Sequence, residues 1–211
     1  MNKNSPIMNY KNAAGVLLFI GAVLFILGML IAEFLYPGYS ASANHISDLG
    51  ATCHNGTCII YQPSAHIFNT SISFFGCLAL ISSYFIWREF QNHLISLLLS
   101  FSGIGLLGIG LFPETAGIIH FIVSFITFFF GGLSAIASYK LMKGPFAYLS
   151  VLMGVMDLIA SALFVSKIFL GLGPGGMERM MAYSLLFWII GFGVNLMSSE
   201  RRCTPRESKF T

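Results

Sequence analysis

The amino-acid sequence predicts an all-α fold: a polytopic membrane protein built as a six-transmembrane-helix bundle, with both termini cytoplasmic. Three observations predict it. Only 9% of the 211 residues are charged and 56% are hydrophobic, whereas soluble domains carry about 25% charged residues. Too little charge is present to coat a water-facing surface, and a mean hydropathy of +0.80 agrees. Six apolar runs each suffice to cross ~30 Å of hydrocarbon at ~1.5 Å per residue. Lysine and arginine are divided unequally between the connecting segments. The composition excludes fibrous, disordered and nucleic-acid-binding classes.

The spans read as 13–35, 67–86, 94–112, 117–139, 146–170 and 180–198, forming a single membrane domain over 1–211. Each is expected to be helical, because hydrocarbon offers the backbone no alternative hydrogen-bond partner; alternating strand patterning is absent. The first span, at 23 residues, exceeds the roughly 7–15-residue apolar core of a cleaved signal peptide, so it reads as a retained helix. Pro37 stops the first span and Pro113 the third, Pro145 precedes the fifth, and the run Gly171–Gly176 is expected to end it as a turn. Glycines in spans three, four and six permit close helix packing. The one long connection is the segment 36–66.

Lys3, Lys11, Arg88, Lys140, Lys143, Arg201, Arg202, Arg206 and Lys209 fall on one side of this topology, and only Lys167 and Arg179 on the other. Positive charge is retained in the cytoplasm, so the protein is expected in the cell membrane as a multi-pass protein with the 36–66 loop outside. There, oxidising conditions favour a disulfide between Cys53 and Cys58, whose Asn55-Gly56 pair suits a tight turn. Asn55-Gly56-Thr57 also matches a glycosylation acceptor. Cys77 reads as packing within span two, and Cys203 lies in the C-terminal tail.

Chemistry-capable side chains concentrate on the outer side. Asn44, His45 and Asp48 lie in the first outer loop, Glu114 and His120 around the second, and Glu178 with Arg179 at the third. Three loops distant in sequence thus converge on one face. The plain alternative is that polar residues must sit in the loops of any membrane protein. His120, with Ser124 one turn below and Glu114 just before the helix, offers a base or a metal ligand; a merely hydrogen-bonded interfacial histidine is the competing reading. Arg179 after a glycine-rich stretch would clamp an anion. Asp157 lies near the centre of span five, where a carboxylate is costly and functional by default; Ser161, one turn on, is a candidate hydrogen-bond partner. A structural interhelical bond is its alternative role. No spacing motif identifies a metal or any cofactor, and facing histidines for a haem are lacking.

The motifs Tyr36-Pro37-Gly38-Tyr39 with Asn44-His45-Ile46-Ser47-Asp48-Leu49-Gly50, then Phe112-Pro113-Glu114 with His120, then Gly173-Pro174-Gly175-Gly176 with Glu178-Arg179, together resemble an uncharacterised family of archaeal and bacterial membrane proteins, a domain of unknown function. The resemblance covers nearly the whole chain. It implies a six-helix bundle and no established activity.

The expectation is therefore an outward-facing polar pocket that binds a lipid headgroup or small polar ligand among membrane lipids, with hydrolase or transferase chemistry as an extension. Glu114, His120 and Asp48 are the candidate catalytic residues; Asn44, His45, Glu178, Arg179 and Asp157 are the candidate ligand-binding residues. Two alternatives compete: a non-enzymatic assembly or sensor subunit, and a small transporter using Asp157.

Overall fold

The computed structural model describes residues 9–54, 56–142 and 144–198. Asn55, Cys203, Lys3, Lys143, Arg201, Arg202, Arg206 and Lys209 lie outside the described residues, as does the His54 side chain. Six helices are long and apolar enough to cross a membrane: α1 (Tyr10–Leu35), α2 (Ser64–Phe90), α3 (His93–Leu111), α4 (Ile118–Ala137), α5 (Pro145–Val165) and α6 (Gly173–Ser198). The protein is thus a multi-pass membrane protein. Each helix packs against the next, and α6 closes the ring on α1, with a further contact between α4 and α6.

The helix ends follow local chemistry. Asn9 Oδ1 accepts from the Asn12 N–H at 3.0 Å and Asn92 Oδ1 from the Ile95 N–H at 3.2 Å, which satisfies first-turn donors of α1 and α3. Pro145 occupies the first position of α5, where its missing N–H costs nothing. Two boundaries differ most from the sequence reading. α5 ends at Val165, because Lys167 turns to φ 58° and Leu170 to φ 49°. α6 begins at Gly173, well before position 180, so Gly173-Pro174-Gly175-Gly176 opens a helix and is not a flexible turn. Pro174 suits a helix start for the same reason as Pro145.

The interior is apolar. Leu18, Phe25 and Met29 of α1 meet Phe68 and Phe75 of α2 and Trp188 and Phe192 of α6 in one buried cluster. The lipid-directed sides keep their large apolar residues exposed, among them Phe34, Leu97 and Phe187. Cys77 belongs with these: it is exposed, not packed inside the bundle. The 36–66 connection contains structure of its own. A 3-10 turn spans Ser47–Leu49, and a hairpin of β1 (Thr52–His54) and β2 (Thr57–Ile59) places Cys53 opposite Cys58, which are joined by a disulfide.

Candidate functional site

The 36–66 loop folds down onto the bundle through four acidic residues that approach from separate elements. Asp48, at the 3-10 turn, is buried, and its Oδ2 accepts from the His45 N–H at 2.9 Å and from Asn44 Nδ2 at 3.1 Å. Such a short-range carboxylate cap holds the loop in one turn. Glu178, on α6, reaches up, and its Oε2 accepts from the Ile46 N–H at 2.6 Å. Glu114, in the turn between α3 and α4, accepts from Ser47 Oγ at 2.7 Å and from the Cys53 N–H at 3.2 Å. Its Oε1 also faces His45 Nδ1 at 3.9 Å. The fourth acid, Glu33 at the end of α1, binds Arg179.

Arg179 has a different role from the anion clamp its sequence context suggests. Its guanidinium donates to Glu33 Oε1 at 2.6 Å, to Tyr39 Oη at 2.7 Å, and to the carbonyls of Ala41, Gly175 and Asn44 at 2.8, 3.1 and 3.3 Å. Tyr39 in turn donates its hydroxyl to the His45 carbonyl at 2.9 Å, and the guanidinium stands over the Tyr39 ring. Arg179 is consumed in stapling the loop to α1 and α6. Its backbone neighbours require Gly175: a Cβ there would lie 2.7 Å from the Ala41 carbonyl and still closer to that of Asn44.

Beneath the loop lies a cavity of about 770 Å³, within the ~300–1,000 Å³ range of small-molecule sites. Its roof is His45, Ser47 and Cys53; Glu114, His120 and Glu178 line it at the same end. One wall is the α4 row Phe121, Phe125, Phe128 and Phe129, and the other is Leu158, Ser161, Ala162, Phe164 and Val165 of α5, with Met181 of α6 behind. The cavity opens sideways between α4 and α5, where Phe121 and Phe125 are each 51% exposed and Val165 59%. Asp48, Asn44, Arg179 and Asp157 are not among its lining residues. The aromatic row was missed in the sequence reading, although its spacing of four places Phe121, Phe125 and Phe129 on one helix face.

His120 is at the cavity wall and is hydrogen-bonded within the chain, without Glu114 as its partner. Its Nδ1 lies 2.8 Å from the Phe112 carbonyl and its Nε2 3.4 Å from Ser124 Oγ. The carboxylate beside a histidine is Glu114, and the histidine is His45. That carboxylate holds the His45 imidazole above its ordinary value, against the opposing effect of burial. Burial alone would push the Glu114 carboxyl up; the neighbouring His45 imidazole and hydrogen bonds from Ser47 and Cys53 outweigh it and hold it below its ordinary value. Asp157 is fully buried, and neither it nor Ser161 makes the side-chain hydrogen bond expected between them.

One outcome follows for pH. A raised histidine contributes stability that is complete below its unfolded value of about 6.5 and is lost as pH rises through the folded value. A depressed glutamate contributes stability that is present above about 4.5 and is lost as pH falls through its folded value. Thermal stability should therefore have a component that is fullest between about pH 4.5 and 6.5 and falls on either side. Melting curves of Glu114→Gln should lack that component; an unchanged profile would show that the pair is not coupled to folding.

His45, Asp48 and Glu114 are also the residues that could hold a divalent metal, since one ligand atom of each lies within 4.8 Å of the others. Asp48 Oδ2 and both Glu114 oxygens already accept hydrogen bonds from the chain, so the cluster is held together by its own donors.

A family model described as protein of unknown function (DUF998) matches residues 19–195. The chain belongs to this family. The matched region runs from within α1 to within α6 and so takes in the 36–66 loop, the cavity and every residue of the cluster. No curated protein and no solved structure matches the chain.

Proposed function

We propose that this protein binds an amphipathic, lipid-like ligand in the cavity between α4 and α5, with the ligand's polar end against His45, Glu114 and Glu178. One observation carries the reading: an aromatic-walled cleft opens sideways on the surface of two spans and ends in a cluster of carboxylates and imidazoles. A lipid could enter it from the bilayer without leaving hydrocarbon.

The cluster narrows the headgroup chemistry. Arg179 is bonded to five protein acceptors, and among the described residues no arginine or lysine lines the cavity, whereas Glu114 and Glu178 do. Carboxylates accept hydrogen bonds and cannot donate them when ionised. The favoured headgroup donates, as an ammonium or a hydroxyl does. His45 beside Glu114 has the composition of a general base with an orienting carboxylate, and on this pair rests the hydrolase or transferase chemistry that would extend binding. We place the cluster on the outer side of the cell membrane with both termini cytoplasmic, on the excess of lysine and arginine at the opposite end.

The test is lipid retention in mixed-lipid nanodiscs, read by native mass spectrometry. Phosphatidylethanolamine, with its ammonium, should be retained over phosphatidic acid. Glu114→Gln should weaken that retention roughly tenfold or more, the value of a hydrogen bond to a charged group. Ala162→Trp, on the exposed cavity rim, should block both lipids without disturbing the fold. Equal retention of the two lipids, or retention indifferent to both substitutions, would overturn the reading. In intact cells an impermeant maleimide should reach Ser166→Cys on that rim; labelling only in inverted vesicles would reverse the orientation.

A further inference from the structure

We propose that Asp157 is a proton-binding site at the apex of the cavity, exchanging its proton with the cavity through the Ser161 hydroxyl. The inference rests on the cavity's shape and on the surroundings of Asp157, not on which ligand fills the cavity.

The cavity exists because α4 and α5 diverge from a point of close contact. That point is Gly132 against Gly154: a Cβ at Gly154 would lie 2.5 Å from the Gly132 carbonyl, and one at Gly132 would lie 2.8 Å from Leu158. From there toward the loop end, Leu158, Ser161, Ala162 and Val165 line the open cleft. Asp157 sits at the vertex, with its Oδ2 in the space that a side chain at Gly132 would take. The residue has no exposed surface.

Both Asp157 oxygens are without a hydrogen-bond partner, and so is Ser161 Oγ, one turn nearer the cavity on the same helix. Buried polar groups are ordinarily satisfied, so two orphans in adjacent turns mark a functional place more than a packing accident. An ionised carboxylate can only accept, and no donor reaches it here; the protonated acid carries its own donor. Nor, among the described residues, does any counter-charge face it. Among the elements packed on α5, the titratable or charged residues of α4 and the turn after it are His120, Tyr139 and Lys140, and those of α6 are Glu178, Arg179 and Tyr183. His120 is bonded at the loop end and Arg179 to Glu33, while Tyr139 and Lys140 are exposed at the opposite end. α5 itself adds only Tyr148, which is exposed against Tyr139.

Ser161 is one of the residues that line the cavity, and its Oγ is buried behind that lining. A hydroxyl both donates and accepts, so by turning about its Cα–Cβ bond Ser161 can take a proton from the cavity side and give one to the Asp157 side. The linkage is reciprocal: whatever fills the cleft over Ser161 changes the exchange of the Asp157 proton, and the proton state changes what the cleft holds.

Infrared spectroscopy of the full chain in nanodiscs tests this without a ligand. The carbonyl stretch of a protonated carboxylic acid should be present in the native protein and absent in Asp157→Asn. It should shift on transfer to D2O and decline as pH is raised. Ser161→Ala should slow the D2O shift at least tenfold while leaving the melting temperature nearly unchanged. A carboxylate that is ionised at every pH, with no such stretch, overturns the proposal. So does a stretch that neither exchanges nor titrates, which would make Asp157 a sealed structural acid. An exchange rate equal in the native protein and Ser161→Ala overturns the route. Because lipid retention is read separately, this proposal and the binding reading can fail independently.

Discussion

Replacing Arg179 with alanine is expected to detach the 36–66 loop from the bundle and to lower stability by about 3–5 kcal/mol, the cost of breaking a buried charge pair by removing one member. The side chains of Arg179 and Glu33 are only 10% and 20% exposed, so solvent does little to screen the loss. Alanine would strand the Glu33 carboxylate and leave the carbonyls of Ala41, Asn44 and Gly175 without their donor. Lysine would preserve the charge but not the planar fork that meets five acceptors at once, and should restore less than half of the loss. Thermal unfolding of the detergent-solubilised protein reads the effect directly, with a fall on the order of 10 °C expected for a chain of this size. A fall of only a degree or two would mean that Glu178, Glu114 and Gly175 hold the loop unaided.

Substituting Gly175 with alanine is expected to be nearly as damaging, for the opposite reason. Alanine normally favours a helix over glycine by about 1 kcal/mol. At Gly175 the added methyl would collide with two backbone carbonyls, those of Asn44 and Ala41, and neither can rotate away. The Gly175 N–H also donates to the Ser42 carbonyl at 3.0 Å, so retreat of α6 breaks a second link to the loop. Overpacking of this kind costs about 1–3 kcal/mol, more where backbone must move. Gly191→Ala, on the same helix, is the control. Its Cβ would meet only Phe146, at 3.7 Å, an ordinary contact, and the propensity gain should appear as a small rise in melting temperature. If both variants melt alike, the close approach of loop and helix at Gly175 is not what holds them together.

These two positions show how the glycine-rich motif of this chain works. Gly173-Pro174-Gly175-Gly176 with Glu178-Arg179 reads on its own as a flexible anion-binding turn. In the fold it is the first two turns of α6, driven under the 36–66 loop so closely that only glycine fits. Glu178 and Arg179 then project from one helix to different tasks: Glu178 to the Ile46 N–H over the cavity, Arg179 to Glu33 and Tyr39 behind it.

Features that depend on contiguous chemistry can be read directly from the chain. The six spans follow from transfer of about twenty consecutive apolar residues into hydrocarbon, and the Cys53–Cys58 pair from its own tight turn. The identities of the clustered residues were also legible, because ionisable groups are few in so apolar a chain. Their partnerships were not. Ile46 and Glu178 are 132 positions apart, Arg179 and Glu33 146, and Ser47 and Glu114 67. No local periodicity carries those distances. It takes the packed helices to show that His45 and not His120 faces Glu114, that Arg179 binds the protein's own backbone, and that α4 and α5 part above Gly132 to open a cavity. The physical reason is that hydrophobic transfer is summed along the chain, whereas a hydrogen bond or an ion pair depends on ångström-scale placement of groups that meet only once the helices have packed.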